Sequence, residues 1–165
     1  MKLSILITLL NEELVLAQTH KAISEKLESM ILSEELSDYE ILYVDDGSSD
    51  STLKLIDAIA DENQRVKYIS FSRNFGRESG ILAGFKYATG DAVMVMDGDL
   101  QHPPYLIPLF VEAYKEGYDI VSGQRSREGE SFVGSFFARS FYKFSNHSMD
   151  VKLTDGKSEL RLLSK

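Results

Sequence analysis

No cysteine occurs in the 165 residues, which removes disulfides, thiolate zinc sites and thiol nucleophiles together. Basic residues are scarce: 18 stand against 26 acidic ones, for a formal net charge of −8. A duplex nucleic-acid binder needs a net basic face to displace counterions from phosphates, so nucleic acid is not an expected partner. Phosphorylated ligands stay open, because a few arginines and a metal ion can hold them locally. No apolar run approaches the ~20 residues that span a bilayer, and the amino terminus reads as a strand rather than a signal peptide. The chain as given is therefore expected to be soluble, with a reducing cytosol as the default compartment. A glycine-rich turn after the first strand is also missing, and no phosphate-loop Gly-Lys-Ser/Thr occurs, which argues against a dinucleotide fold. What the chain has is a core: 43% of its residues are hydrophobic, enough to exclude wholesale disorder.

The apolar segments alternate in kind. Lys2 to Leu10, Tyr39 to Val44, Val66 to Phe71, Ala92 to Met96 and Asp119 to Val121 read as strands. They are short, β-branched and nearly uninterrupted. Helical periodicity fills the gaps, from Glu12 to about Ile31, from Thr52, from Gly76 to Ala88, from about Pro104 and from Phe132 to Phe144. The tail from Asp150 reads as irregular or a short strand. Strand and helix alternating at roughly 20-to-30-residue spacing predict an α/β fold with one mostly parallel sheet and flanking helices. No linker divides the chain, so a single domain over residues 1–165 is expected. In such sheets ligands bind outside the carboxyl ends of the strands, and those ends carry the informative residues.

After the first strand come Leu10, Asn11, Glu12 and Glu13; two acids there also suit the positive end of a helix dipole. After the second comes Asp45-Asp46-Gly47-Ser48-Ser49-Asp50. A turn with Gly47 at positive φ and Ser49 or Asp50 as helix cap explains the loop, but not two adjacent carboxylates at a buried strand's end. The fourth strand runs into Asp97-Gly98-Asp99-Leu100-Gln101-His102-Pro103-Pro104. If extended, it points Asp97, Asp99 and Gln101 the same way, and three oxygen donors suit Mg²⁺ or Mn²⁺. Gly98 would let a ligand approach the backbone, and His102 reads as a turn residue. Arg125 directly follows the fifth strand, where a guanidinium can grip a phosphate at two points. Arg127, Arg139 and Arg161 are read as either solvated surface or ligand-facing, with neither favoured. The aromatic stripe of Phe132, Phe136, Phe137, Phe141, Tyr142 and Phe144 reads as core, with a lipid- or partner-facing role as the sharper alternative.

Taken in order, Asn-Glu-Glu, Val-Asp-Asp-Gly-Ser-Ser-Asp, Ser-Arg-Asn-Phe-Gly and Asp-x-Asp-Leu-Gln-x-Pro-Pro resemble family-2 glycosyltransferases of the A-type, Rossmann-like nucleotide-diphospho-sugar fold. Within them the chain is most similar to the polyprenyl-phosphate branch of dolichyl-phosphate mannosyltransferases and bactoprenol glucosyltransferases. The resemblance implies a metal-dependent inverting transfer of sugar from a UDP- or GDP-sugar to a polyprenyl phosphate. It implies that Leu10, Asn11, Glu12, Asp45, Asp46, Asp97 and Gly98 hold the donor nucleotide, and that Asp99 and Gln101 hold the divalent cation. Asp97, Asp99, Arg125 and Glu159 become the catalytic set, while Arg125, Arg139 and Arg161 steer donor or acceptor phosphates. It also implies work at the cytoplasmic face of the membrane in the full-length protein, and it leaves oligomerisation open.

The chain departs from the family at several points. Thr8-Leu9-Leu10 stands where relatives carry Pro-x-Tyr, so the base-stacking tyrosine is absent. Glu159 and Leu160 replace an aspartate and an aromatic residue, and the chain stops at Lys165, short of the family's usual carboxyl-terminal part. Three other acceptors and folds compete with the reading. A saccharide hydroxyl acceptor would need a strong general base, and no well-placed histidine offers itself. A nucleotidyltransferase would open with a basic, glycine-rich loop, whereas this one is acidic. A phospho-accepting receiver module would need a Lys-Pro at a later strand end, and none occurs. A binding module without activity is the remaining alternative, opposed by the intact Asp97/Asp99/Gln101 set.

Overall fold

The computed structural model describes residues 1–99, 102–124 and 157–165, with backbone alone at 124 and 157–159. Met1–Val121 with Leu160–Lys165 form one compact unit, and Ser122–Glu159 are assigned to a second. The strands are β1 (Lys2–Leu9), β2 (Asp38–Asp45), β3 (Val66–Ser70), β4 (Ala92–Asp97), β5 (Ile120–Gln124) and β6 (Lys157–Ser164). Between them run α1 (Leu16–Leu32), α2 (Thr52–Glu62), α3 (Arg77–Tyr87) and α4 (Ile107–Lys115), the last preceded by a 3-10 turn at Pro104–Leu106. The predicted helix Phe132–Phe144 and its aromatic stripe lie outside the described residues.

The sheet order is β3-β2-β1-β4-β6-β5. β1 pairs in parallel with β2 and β4, and β2 with β3. The chain therefore leaves β1 on one side and returns to it on the other, which makes the β1–β4 junction the topological switch point where such sheets bind ligands. One expectation needs correction. The tail read as irregular or a short strand is an eight-residue strand, β6, lying antiparallel to β4 with Arg161 opposite Val95. Leu160 and Leu162 point inward, at 1% and 0% exposure, and Arg161 is exposed between them. Alternate burial of this kind holds the segment in the sheet.

Both faces of β1 are covered, as parallel strands require. Leu3, Ile5, Ile7 and Leu9 meet α1, α2 and α4 through Leu16, Ile23, Leu27, Ile56, Ile107 and Phe110. On the other face Leu6 joins Leu42, Val44, Val93 and Val95, with Ile81 and Phe85 packed against them. α3 lies very close there. A Cβ on Gly84 would come within 2.1 Å of Leu6 Cδ1, and one on Gly80 within 2.8 Å of Thr8 Cγ2. Those two glycines, one turn apart, bring the start of α3 to the end of β1.

Beneath α3 the sheet buries a charge. Glu40 is 2% exposed. It accepts hydrogen bonds from the Ser4 hydroxyl at 2.7 Å, Lys67 Nζ at 2.9 Å and Thr89 N–H at 2.5 Å. Burial by itself would raise its pKa, but these donors hold the carboxyl at about 2 against an ordinary 4.5. Such a depressed group adds stability that is complete above about 4.5 and disappears as pH falls toward about 2. Glu40→Gln should therefore lose as much as ~3 kcal/mol in urea unfolding at pH 7. The gap from the parent should close in the acid range; equal stability at neutral pH would refute the network's role.

Gly47 shows a second constraint. Its φ is +76°, and a Cβ there would sit 2.4 Å from the Arg73 carbonyl carbon. The loop after β2 thus packs backbone-to-backbone on the loop after β3, as the expected positive φ allows. Gly47→Ala should cost more than ~1 kcal/mol, read as a lowered melting temperature; an unchanged melt would mean the loops part readily.

Candidate active site

The strand register sets the site. Thr8 of β1 lies level with Asp97 of β4, and Leu9 level with Asp45 of β2. The Asp46 N–H donates to the Leu9 carbonyl at 2.9 Å and continues the pairing one residue further. Over these ends opens a cleft of about 270 Å³. Leu10, Glu12, Asp46, Asp97, Gly98 and Asp99 line it, six positions read from the sequence. They are joined by Thr8, Asn74, Gly76 and Arg77.

Asp97 ends β4, and Gly98–Asp99 turn rather than continue the strand. The extended arrangement expected for Asp97 and Asp99 is therefore not formed. The Thr19 hydroxyl of α1 donates to the Gly98 carbonyl at 2.8 Å and pins the turn. A Cβ on Gly98 would meet Leu9 Cδ2 at 2.3 Å, so packing against β1 is what excludes a side chain there. Both aspartates nevertheless reach the cleft. Arg77 Nη2 donates to Asp97 Oδ1 at 2.5 Å, and His102 Nδ1 lies 3.2 Å from Oδ2. His102 is buried at 5% exposure against Asp97 and is no mere turn residue.

The paired aspartates divide their work. Asp46, 4% exposed, accepts the Phe75 N–H at 2.7 Å and the Gly76 N–H at 2.9 Å. It caps the approach to α3 while still facing the cleft, and a carboxylate has lone pairs to spare for a ligand. Asp45, 1% exposed, accepts the Ser48 N–H at 3.2 Å and the Ser70 hydroxyl at 3.3 Å; it does not line the cleft.

The loop after β1 also differs from a simple helix start. Helix α1 begins at Leu16, because the Glu12 carbonyl first accepts the N–H of Val15 and Leu16 in a turn. Asn11, at φ +56°, donates its N–H to Ser48 Oγ at 3.0 Å and accepts the Ser49 N–H on Oδ1 at 2.8 Å. Glu13 Oε2 accepts the Ser51 N–H at 2.8 Å. That acid serves the start of α2 rather than α1. The cap of α2 is Ser51, with Asp50 Oδ1 accepting the Thr52 N–H at 2.9 Å.

Electrostatically the cleft is strongly negative. Four carboxylates, of Glu12, Asp46, Asp97 and Asp99, face one guanidinium, that of Arg77, among its described lining residues. The pKa of Glu12 is raised, first by partial burial and then by the charges of Asp99 and Asp50. Such a donor set fits a hard divalent cation, which oxygen ligands prefer and which would relieve the repulsion. Among the described residues no three histidine or acidic side chains converge into a cage, so a cation here would also take oxygens from Gln101 or from a ligand. Gln101, Arg125 and Arg139 lie outside the described residues, as does the side chain of Glu159. Arg161 is exposed on β6 and does not line the cleft.

Arg77 is the residue sequence reasoning passed over. It opens a helix, where the dipole disfavours a cation, and that misfit was a signal available in the residues after Gly76.

Residues 4–161 match the family described as Glycosyl transferase family 2. A Bacillus subtilis protein carrying a glycosyltransferase name, CsbB, is 47% identical over 163 residues, which are 99% of this chain and 48% of that protein. The prophage bactoprenol glucosyl transferase homolog of Escherichia coli is 36% identical, over 100% of this chain and 53% of its own length. The chain thus spans about half the length of these curated relatives. Among solved structures, a mannosyltransferase from Pyrobaculum calidifontis in complex with GDP-Man and Mn²⁺ aligns at a TM-score of 0.65 and 17% identity, over 98% of this chain and 44% of that one. Glucosyl-3-phosphoglycerate synthase from Mycobacterium tuberculosis with UDP aligns at 0.61 and 20%, over 99% and 56%. At these identities the structures speak to the fold alone, and it is that of the A-type glycosyltransferases. With its α/β sheet, its switch-point cleft and a match running nearly end to end, the chain belongs to glycosyl transferase family 2.

Proposed function

We propose that this chain carries the donor site of a metal-dependent, inverting glycosyltransferase that moves a sugar from a UDP- or GDP-sugar to a polyprenyl phosphate. One observation carries the reading: four carboxylates and one arginine line a cleft at the switch point of the sheet. A nucleotide diphosphate is itself anionic and enters such a cleft only with a cation. Bactoprenol glucosyl transferases among the relatives, at 35–36% identity, support the lipid acceptor. Solved neighbours holding GDP-Man with Mn²⁺ or UDP support the donor.

Leu10, Glu12 and Asp46 would hold the nucleoside, with Leu10, 39% exposed, offering an apolar surface where the stacking tyrosine is absent. Asp97 and Gly98 would lie along the ribose, with Asp97 kept in place by Arg77. Asp99 with Gln101 would hold Mg²⁺ or Mn²⁺, which supplies Lewis-acid neutralisation of the leaving diphosphate. Arg125 and Glu159 complete the proposed catalytic set, and Arg125, Arg139 and Arg161 are proposed to meet phosphates. In the transfer an acceptor phosphate oxygen bonds to the anomeric carbon while the bond to the diphosphate oxygen breaks, and attack from the far side inverts the centre. That oxygen is already anionic near neutral pH, so no strong general base is needed. Residues 1–165 would then be catalytic domain, and a lipid acceptor would put the whole protein at the cytoplasmic face of a membrane. No helix among the described residues is long and apolar enough to cross one.

A panel of UDP- and GDP-sugars, with and without Mn²⁺, tests the donor site by thermal stability. A ligand at ~100 times its dissociation constant adds ~2.7 kcal/mol. One nucleotide should raise the melting temperature only with the cation, and Asp99→Ala should abolish that shift without altering the unliganded melt. A parent indifferent to every nucleotide would refute the reading, and an Asp99→Ala chain of full affinity the metal assignment. Arg77→Met should weaken binding of the same nucleotide by ~10-fold, measured by calorimetry; unchanged affinity would confine Arg77 to the surface.

A further inference from the structure

The Glu12 carboxylate faces the cleft, yet among the described residues no group of the protein hydrogen-bonds it. Its aim therefore depends on the backbone beneath it. The Glu12 N–H donates to Thr52 Oγ1 at 2.8 Å. Thr52 is the first residue of α2, fully buried and absent from the cleft lining. The Thr52 N–H donates to Asp50 Oδ1 at 2.9 Å, and the other oxygen of that carboxylate accepts the Glu13 N–H at 3.2 Å. The neighbours on either side, Asn11 and Glu13, are tied to Ser49 and Ser51, so the Glu12 peptide is clamped across 40 residues of sequence.

We infer that Thr52 is a positioning residue of the donor site, a buried hydroxyl that fixes the backbone of Glu12 and so aims its carboxylate into the cleft. This rests on the donor-site reading above. Valine copies the shape of threonine without the acceptor, whereas serine keeps the acceptor. Four chains besides the parent test the assignment: Thr52→Ser, Thr52→Val, Glu12→Gln and the double variant Thr52→Val/Glu12→Gln. Amide hydrogen exchange at Glu12, followed by NMR, should be slow in the parent and in Thr52→Ser, and ~10-fold faster in Thr52→Val. Affinity for UDP and for GDP, each with Mn²⁺, should fall ~3- to 10-fold in Thr52→Val and stay within about 2-fold in Thr52→Ser. In the Glu12→Gln background the valine should cost less than about 2-fold, because the two residues act through one contact. Losses that simply multiply, or a Thr52→Val chain that binds like the parent, would overturn the inference. A parent that binds neither nucleotide overturns the donor-site reading instead. The exchange result then decides alone, and equal exchange in the parent and Thr52→Val refutes the clamp.

Discussion

The parallel register around β1 is the constraint on which the rest depends. Thr8 stands level with Asp97 and Leu9 with Asp45, and the Asp46 N–H to Leu9 carbonyl bond carries the pairing past the strand itself. A slip of one residue would invert the side chains of β1 between its two buried faces. Because both faces are packed, with Leu3, Ile5, Ile7 and Leu9 on one and Leu6 on the other, the register has little freedom. The carboxylates at the strand ends are gathered as a consequence of that packing.

Gathering so much negative charge is costly, and the surrounding loops answer it. Asp45 and Asp46 are satisfied by backbone N–H groups and a serine hydroxyl, and Asp97 by Arg77. Glu12 and Asp99 both line the cleft, and the pKa of Glu12 is raised first by partial burial and then by the charges of Asp99 and Asp50. The site thus combines carboxylates that serve the frame with carboxylates that line the cleft. The two kinds carry the same chemistry and are told apart only by what bonds to them.

Much of this was legible in the residues. The strand–helix alternation predicted the mostly parallel sheet, since apolar runs of this length bounded by turn residues have few other solutions. The motif segments placed Leu10, Glu12, Asp46, Asp97, Gly98 and Asp99 at the cleft, where they lie. Less legible were the positions whose meaning depends on partners distant in sequence. Arg77 joins Asp97 only because Gly80 and Gly84 let α3 settle onto β1. Asn11 and Glu13 look like ligand or helix-start residues until the loop after β2 is found beside them. The tail could be read only as irregular or a short strand, because the alternation of Leu160, Arg161 and Leu162 is too short a signal to fix its length or its antiparallel pairing with β4.

What the sequence by itself determined is the family, the order of strands and helices, and the acidic chemistry at the strand ends. Those follow from local periodicity and from motifs contiguous in the chain. Tertiary structure alone decided which acids face the cleft, which ones cap loops, and that Arg77, His102 and Thr52 attend them. The physical reason is that a carboxylate's role is set by the donors within hydrogen-bond distance of it. Here those donors come from residues as many as 49 positions away, as Thr89 is from Glu40, brought together only when both faces of β1 are buried.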